Sequence, residues 1–171
     1  MLKILNQLEP FFGDSYRSIS VREYAKLVQI SPPTASTLLK DFVKRGYLEQ
    51  RAERGHLMFT LHPENEEVVD LNKLYWKQKL QKLIQEFQTK LTGASGILFG
   101  SLAKAEAKSN SDVDLAILAP EKKTIELKSF EKSLRRKISV YWFKSLSEVK
   151  NEHLRNNILN GVFLFGKVKW Q

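Results

Sequence analysis

The chain contains no cysteine, so disulfides and thiolate metal sites are excluded. Its three histidines, His56, His62 and His153, are not spaced as a ligand cluster, and any metal would have to be held by oxygen. Long hydrophobic runs are missing too: nothing approaches the ~20 apolar residues that span a bilayer. The N-terminal stretch MLKILNQLEPFFGD has neither the apolar core nor the small-residue cleavage site of a signal peptide. No membrane association and a cytoplasmic location are therefore expected. Internal repeats and low-complexity tracts are absent as well.

What is present is 171 residues, 42% of them hydrophobic, enough for one large domain or two small ones with packed cores. The formal charge is +9. Clustered Lys and Arg gain free energy by displacing counterions from phosphates, so an anionic partner such as nucleic acid or nucleotide is expected. Composition alone does not separate that from an inert basic surface.

Along the first 62 residues, Leu2, Leu5, Leu8, Phe11 and Phe12 fall at helical spacing, and Gly13-Asp14 ends the pattern. Ser20 and Glu23 form a capping-box pair ahead of Val21, Tyr24, Ala25 and Val28, which predicts a short second helix. Ser31-Pro32 is an N-cap followed by a proline at the first helical position, and it predicts a third helix from about 32 to a cap at Gly46. Tyr47–Arg51 and His56–His62 read as two short strands joined by a turn at 52–55.

Three helices and a hairpin, with VREYAKLVQISPPTASTLLKDFVKRGYLEQ at their centre, resemble the winged helix-turn-helix DNA-binding domains of prokaryotic regulators. The resemblance covers residues 1–62. It implies double-stranded DNA as a partner, with Pro33, Thr34, Ser36, Thr37 and Lys40 facing the major groove and Arg51, Arg54 and His56 on the wing. The same architecture can serve as a protein-docking module, and the segment is only mildly basic, with nine Lys and Arg against six Asp and Glu.

Residues 63–93 are charged, amphipathic and free of interior Gly and Pro. Trp76, Leu80, Leu83, Ile84, Phe87 and Leu91 repeat at helical spacing and predict one long connecting helix ending at Gly93. The apolar seam is too short for several heptads, so covering a second core is favoured over a coiled-coil dimer. A homodimer stays open.

From 94 to 171 strands and helices alternate. Strands are expected at 97–99, 113–118, 138–143 and 162–165, and helices at 101–107, about 123–135 and 145–160. The whole chain thus reads as α+β, with a C-terminal α/β domain around a mixed sheet. Within it, FGSLAKAEAKSNSDVDLAIL carries the chemistry. Alternation along a strand puts Asp112 and Asp114 on one face, roughly 7 Å apart at a rise of ~3.3 Å per residue. Two hard carboxylates at that spacing repel each other, and together they suit one magnesium ion or two. Gly100-Ser101 stands where a strand ends and a helix begins, a place where free amides, a small residue and a hydroxyl favour phosphate.

The Gly-Ser pair, ten residues and then Asp-x-Asp resemble the minimal nucleotidyltransferases of the DNA polymerase β superfamily, across residues 94–166. The resemblance implies in-line transfer of a nucleoside monophosphate from an NTP, ATP first by that likeness, to a hydroxyl, with pyrophosphate released. Gly100 and Ser101 would hold the β and γ phosphates, while Asp112 and Asp114 would be the catalytic magnesium ligands. Lys104, where the family often has arginine, either contacts a phosphate or stays solvated. Such domains also resemble antitoxins that add AMP to a toxin's hydroxyl, so a toxin-like protein is a further expected partner. The family's third carboxylate has no counterpart here: KISVYWF puts Ser139 at that place, and no acid lies between Glu131 and Glu148. Serine is a poor base and a weak ligand. Two functions follow from the sequence: a transferase, or a transcriptional regulator whose degenerate transferase domain senses nucleotide or serves assembly.

Overall fold

A computed structural model describes residues 2–167, with only the backbone of Leu2; the last four residues of the expected 94–171 domain lie outside the described residues. The chain forms two compact units, residues 1–75 with 105–109, and residues 76–104 with 110–171. No helix among the described residues is long and apolar enough to cross a membrane.

The first unit runs α1 (Leu2–Phe12), β1 (Ile19–Ser20), α2 (Val21–Leu27), α3 (Pro32–Lys44), β2 (Leu48–Glu53), β3 (His56–Leu61) and the greater part of α4 (Glu66–Lys79). Leu8, Phe11 and Phe12 are fully buried, as the apolar spacing leads one to expect, and so are Tyr24, Leu39 and Phe59; Phe11 stacks on Tyr24 with ring centroids 5.9 Å apart. Ser31 caps α3 by accepting from the Thr34 amide at 3.3 Å. Ser20 caps α2 in the same way, but Glu23 pairs with Arg17 instead of closing the capping box.

The hairpin is tighter than expected. β2 continues to Glu53, and the turn is Arg54-Gly55, both at positive φ (47° and 79°), the arrangement that matches strand twist. β1 has no counterpart among the strands the sequence predicts. It is two residues long, too short for any alternation to register, and it pairs antiparallel with β3 through Ile19↔Phe59 to give the order β1-β3-β2. Residues 105–109 join this unit, with the Ser15 amide donating to Ala107 O at 2.7 Å.

The expected single helix over 63–93 is instead two helices, α4 and α5 (Gln81–Lys90). The joint is Leu80, at φ −88° and ψ 1°. No proline or glycine causes it. Leu80 is almost fully buried along with Leu83, Ile84 and Phe87, and core packing overrides the local helical preference. The boundary between the units falls inside α4, between Tyr75 and Trp76, so the segment divides between the two units and is not a separate connector.

The second unit continues with β4 (Ser95–Phe99), β5 (Val113–Leu118), α6 (Lys128–Leu134), β6 (Ile138–Phe143), α7 (Glu152–Leu159) and β7 (Val162–Phe165). The sheet order is β6-β5-β4-β7, mixed as expected: β5 and β6 are parallel and the other pairs antiparallel. Three helix expectations contract. The helix over 101–107 is one 3-10 turn, Ser101–Lys104, stopped by Ala105 at φ 57°. The helix over 123–135 begins only at Lys128, after a stretch with adjacent like charges at Lys122-Lys123 and β-branched Thr124-Ile125. That over 145–160 divides into a 3-10 turn and α7, because Asn151 starts a new helix by capping the Leu154 amide at 2.9 Å.

One sheet face carries Ile97, Phe99, Ala116 and Leu118 against Leu146, Val149 and Ile158. On the other, Phe87 of α5 stacks on Phe165 with ring centroids 6.1 Å apart. Gly96 makes room for that ring, since a Cβ there would lie 2.2 Å from it. Gly96→Ala is expected to destabilise the second unit by about 1–3 kcal/mol through overpacking, measured by urea unfolding.

Candidate active site

β5 is buried at every position but one, and the exception is Asp114. A carboxylate in this row is possible because of its neighbours. Antiparallel pairing puts Phe99 beside it on β4, and parallel pairing puts Ser139 beside it on β6. Directly after Phe99 comes Gly100, at φ 76°, a conformation that favours glycine. A Cβ on Gly100 would stand 2.6 Å from Asp114 Oδ2, so the missing side chain is what gives the carboxylate its space.

Asp112 sits two residues earlier, just ahead of the strand, where alternation turns it to the same face. The Val113 amide donates to Lys137 O at 2.8 Å and fixes the entry into β5. Ser139 Oγ donates to Asp112 Oδ2 at 3.4 Å, a long bond. Gly100, Asp112, Asp114 and Ser139 are therefore brought together at one end of the sheet. Burial, and secondarily the negative charge of Asp112, raise the Asp114 carboxyl above its ordinary value. Ser101 opens the 3-10 turn beside this cluster, half-buried.

Oxygen donors of this kind fit a hard divalent cation. Magnesium is commonly held by one or two carboxylates with substrate phosphates completing its shell, and a cation between the aspartates would relieve their repulsion. Among the described residues, no group of three or more His, Cys, Asp or Glu converges. The third acid is absent in space as well as in sequence, and the register puts Ser139 next to the pair.

Lys104 points elsewhere. Its Nζ donates to Asn157 Oδ1 at 2.9 Å, a partner on α7 that no sequence spacing signals. Another contact that sequence does not signal is Arg136, whose Nη1 donates to the Ser111 carbonyl at 2.6 Å, next to Asp112.

In the first unit, Pro33, Thr34, Thr37 and Lys40 are exposed on α3, and Ser36 is half-buried. Two of the hydroxyls are engaged within the helix: Thr34 Oγ1 with Ser31 Oγ at 2.8 Å, and Thr37 with Pro33 O at 3.2 Å. Arg51 lies 3.8 Å from Glu53 on β2. Arg54 and His56 line an open groove of about 620 Å³ with Val21, Pro32 and Leu57, and Arg22 joins them there from the start of α2. Arg22 is missing from the sequence-derived set because nothing local in the sequence ties α2 to the hairpin.

Residues 80–162 match the family described as nucleotidyltransferase domain. That segment takes in Gly100, Ser101, both aspartates and Ser139. No curated protein matches the chain.

Two outcomes are expected at this site. Gly100→Ala should destabilise the second unit by about 1–3 kcal/mol, by strained backbone and a displaced Asp114 carboxylate, measured by urea unfolding. Asp114→Asn should raise Tm at pH 7 in metal-free buffer. A carboxyl whose folded pKa lies above its unfolded value destabilises the fold when ionised. That penalty is complete above the folded pKa and vanishes below the unfolded one, so the gain should fade as pH drops through this window.

Proposed function

We propose that the second unit is a cation-dependent nucleotidyltransferase that moves a nucleoside monophosphate from an NTP, ATP first among them, to an acceptor hydroxyl. The observation that carries this reading is the meeting of Gly100, Asp112 and Asp114 at one end of the sheet, inside the matched segment. When bound, magnesium supplies neutralisation of the charge that builds on the phosphoryl oxygens. Asp112 and Asp114 would hold it, and a second ion could share the same carboxylates. Gly100 lets the phosphates approach the backbone, and Ser101 donates its hydroxyl to them.

Ser139 orients Asp112 and is too weak a base to take the acceptor's proton near neutral pH. Deprotonation falls to solvent, and turnover is slow for want of a third acid. The same residue favours a second reading, in which the unit binds nucleotide without turning it over and acts in sensing or assembly.

The first unit is read as a winged helix-turn-helix DNA-binding domain. Its element order and the exposure of Lys40, Arg54 and His56 support this reading. In that arrangement α3 enters the major groove and the hairpin touches the backbone. A cytoplasmic site of action and a toxin-like protein as partner accompany the two readings.

With α-labelled ATP and magnesium, the protein should label an acceptor. Asp112→Asn should cut labelling at least a hundredfold, and Ser139→Asp should raise it about tenfold by supplying a base. No label from any triphosphate, in the Ser139→Asp variant as well, would leave nucleotide binding alone. In the first unit, Lys40→Ala should weaken duplex binding and lower the slope of log affinity against log salt by about 1, measured by fluorescence anisotropy.

A further inference from the structure

β6 is an edge strand of its sheet and pairs with β5 on one side only. An open edge offers its backbone amides and carbonyls to any further strand, and monomeric proteins blunt it with charge, proline or a bulge. The middle of β6 has none of these. It reads Val140-Tyr141-Trp142, with Tyr141 40% exposed and the other two half-buried.

Which backbone groups are free follows from the pairing with β5. The carbonyls of Lys137 and Phe143 accept from the Val113 and Ala119 amides at 2.8 and 2.9 Å. Strand alternation then turns the amides and carbonyls of 137, 139, 141 and 143 towards β5, and those of 138, 140, 142 and 144 outwards. Two of the outward amides are taken. The Ile138 amide donates to Glu131 Oε1 at 2.9 Å, and the Lys144 amide to Glu148 Oε2 at 2.7 Å. Between these carboxylate caps, the outward amides and carbonyls of Val140 and Trp142 have no partner among the described residues.

Free groups placed in this way match an antiparallel copy of themselves, and in one register. A two-fold axis perpendicular to the sheet at Tyr141 sets Val140 opposite Trp142 of the second copy, and Trp142 opposite its Val140. Each such pair exchanges both of its bonds, and both caps stay in place. An axis at Val140 would instead set Trp142 against Ile138, and one at Trp142 would set Val140 against Lys144. The amides of Ile138 and Lys144 are already engaged. In the Tyr141 register, exposed Lys144 of the second copy arrives opposite Ile138, beside the Glu131 carboxylate that caps it. The symmetry repeats this charge match at the other end. The self-match of the free groups, with a cation brought to each Glu131, favours a copy of this chain over a foreign strand.

We infer that β6 pairs antiparallel with β6 of a second copy of this chain about a two-fold axis at Tyr141, joining two four-stranded sheets into one continuous sheet. Because the axis is perpendicular to the sheet, the aspartates of both copies lie on the same side of it. On that side Tyr141 meets Tyr141 of the second copy, and Phe143 of the second copy stands opposite Ser139. Each site is thus bordered by the other chain. A strand spacing of ~4.8 Å and a rise of ~3.3 Å per residue put the two Asp114 residues roughly 20 Å apart, as two separate sites. The pairing rests on the backbone of β6 and stands whether or not either site transfers a nucleotide.

The chain has no cysteine, so a single introduced thiol reports its own counterpart. Residues opposite one another in a non-hydrogen-bonded antiparallel pair have Cα atoms ~4.5 Å apart, within disulfide reach. Tyr141→Cys in the full chain should therefore form a disulfide-linked dimer under mild oxidation. Lys137→Cys, whose counterpart lies more than about 20 Å away in this register, should not. In sedimentation velocity the unmodified chain should pass from monomer to dimer between about 10 and 300 µM, as suits a small interface. Val140→Pro removes an outward amide and spares the ladder to β5, so it should stay monomeric with an unchanged far-UV spectrum. Tyr141→Lys and Tyr141→Glu should each be monomeric alone, because like charges would face each other, and should associate when mixed. A folding defect would not be rescued by mixing. Monomer at every concentration, no Tyr141→Cys dimer, a dimer undiminished in Val140→Pro, or Lys and Glu variants that do not associate on mixing overturns the inference.

Discussion

The second unit is organised around one close approach: the carboxylate of Asp114 lies where the side chain of residue 100 would be. A central strand with apolar neighbours is a costly place for a charge. The cost is tolerable because Gly100 is bare and strongly turned, which leaves the oxygen room, and because Ser139 supplies a small polar neighbour across the parallel pair. The remaining geometry follows. A larger residue at 100 would move the carboxylate, and a register shift of one residue would turn both aspartates away from this face.

Much of this was legible in the sequence, and for identifiable reasons. Local signals survived folding well: Ser31-Pro32 starts α3, Gly46 follows its end at positive φ, and the alternation in DVD puts both acids on one face. The place of Ser139 was anticipated from the resemblance of KISVYWF to the strand that carries the family's third carboxylate, and the parallel register puts it beside Asp114. Long-range features were not legible. No local pattern says that Leu80 would interrupt a helix, that Glu23 would prefer Arg17 to its capping partner, or that residues 105–109 group with the N-terminal unit. The first and the last of these are decided by contacts made far along the chain, and propensity is too weak a force to oppose them.

The site also separates two chemical tasks that a pair of acids alone cannot both perform. Holding a cation requires carboxylate oxygens, and on the proposed reading Asp112 and Asp114 would supply them. Accepting a proton requires a group that can be basic while the cation is bound, and a serine hydroxyl is not such a group. On the proposed reading, phosphate and cation binding are thus better provided for than proton removal, and the difference is located at Ser139 on an edge strand.

The parallel pairing of β5 with β6 has a further consequence for how the site comes into being. Antiparallel β4 and β5 bring Gly100 to Asp114 across a short stretch of chain, but Ser139 and Lys137 arrive only after the crossover through α6 has closed. Closing that loop costs entropy before any strand contact repays it. During folding, the half of the site built by β4 and β5 can form ahead of its edge. The end of the sheet that carries Gly100 and both aspartates is then built before its edge strand docks, and anything that bound there would stabilise the partly formed sheet.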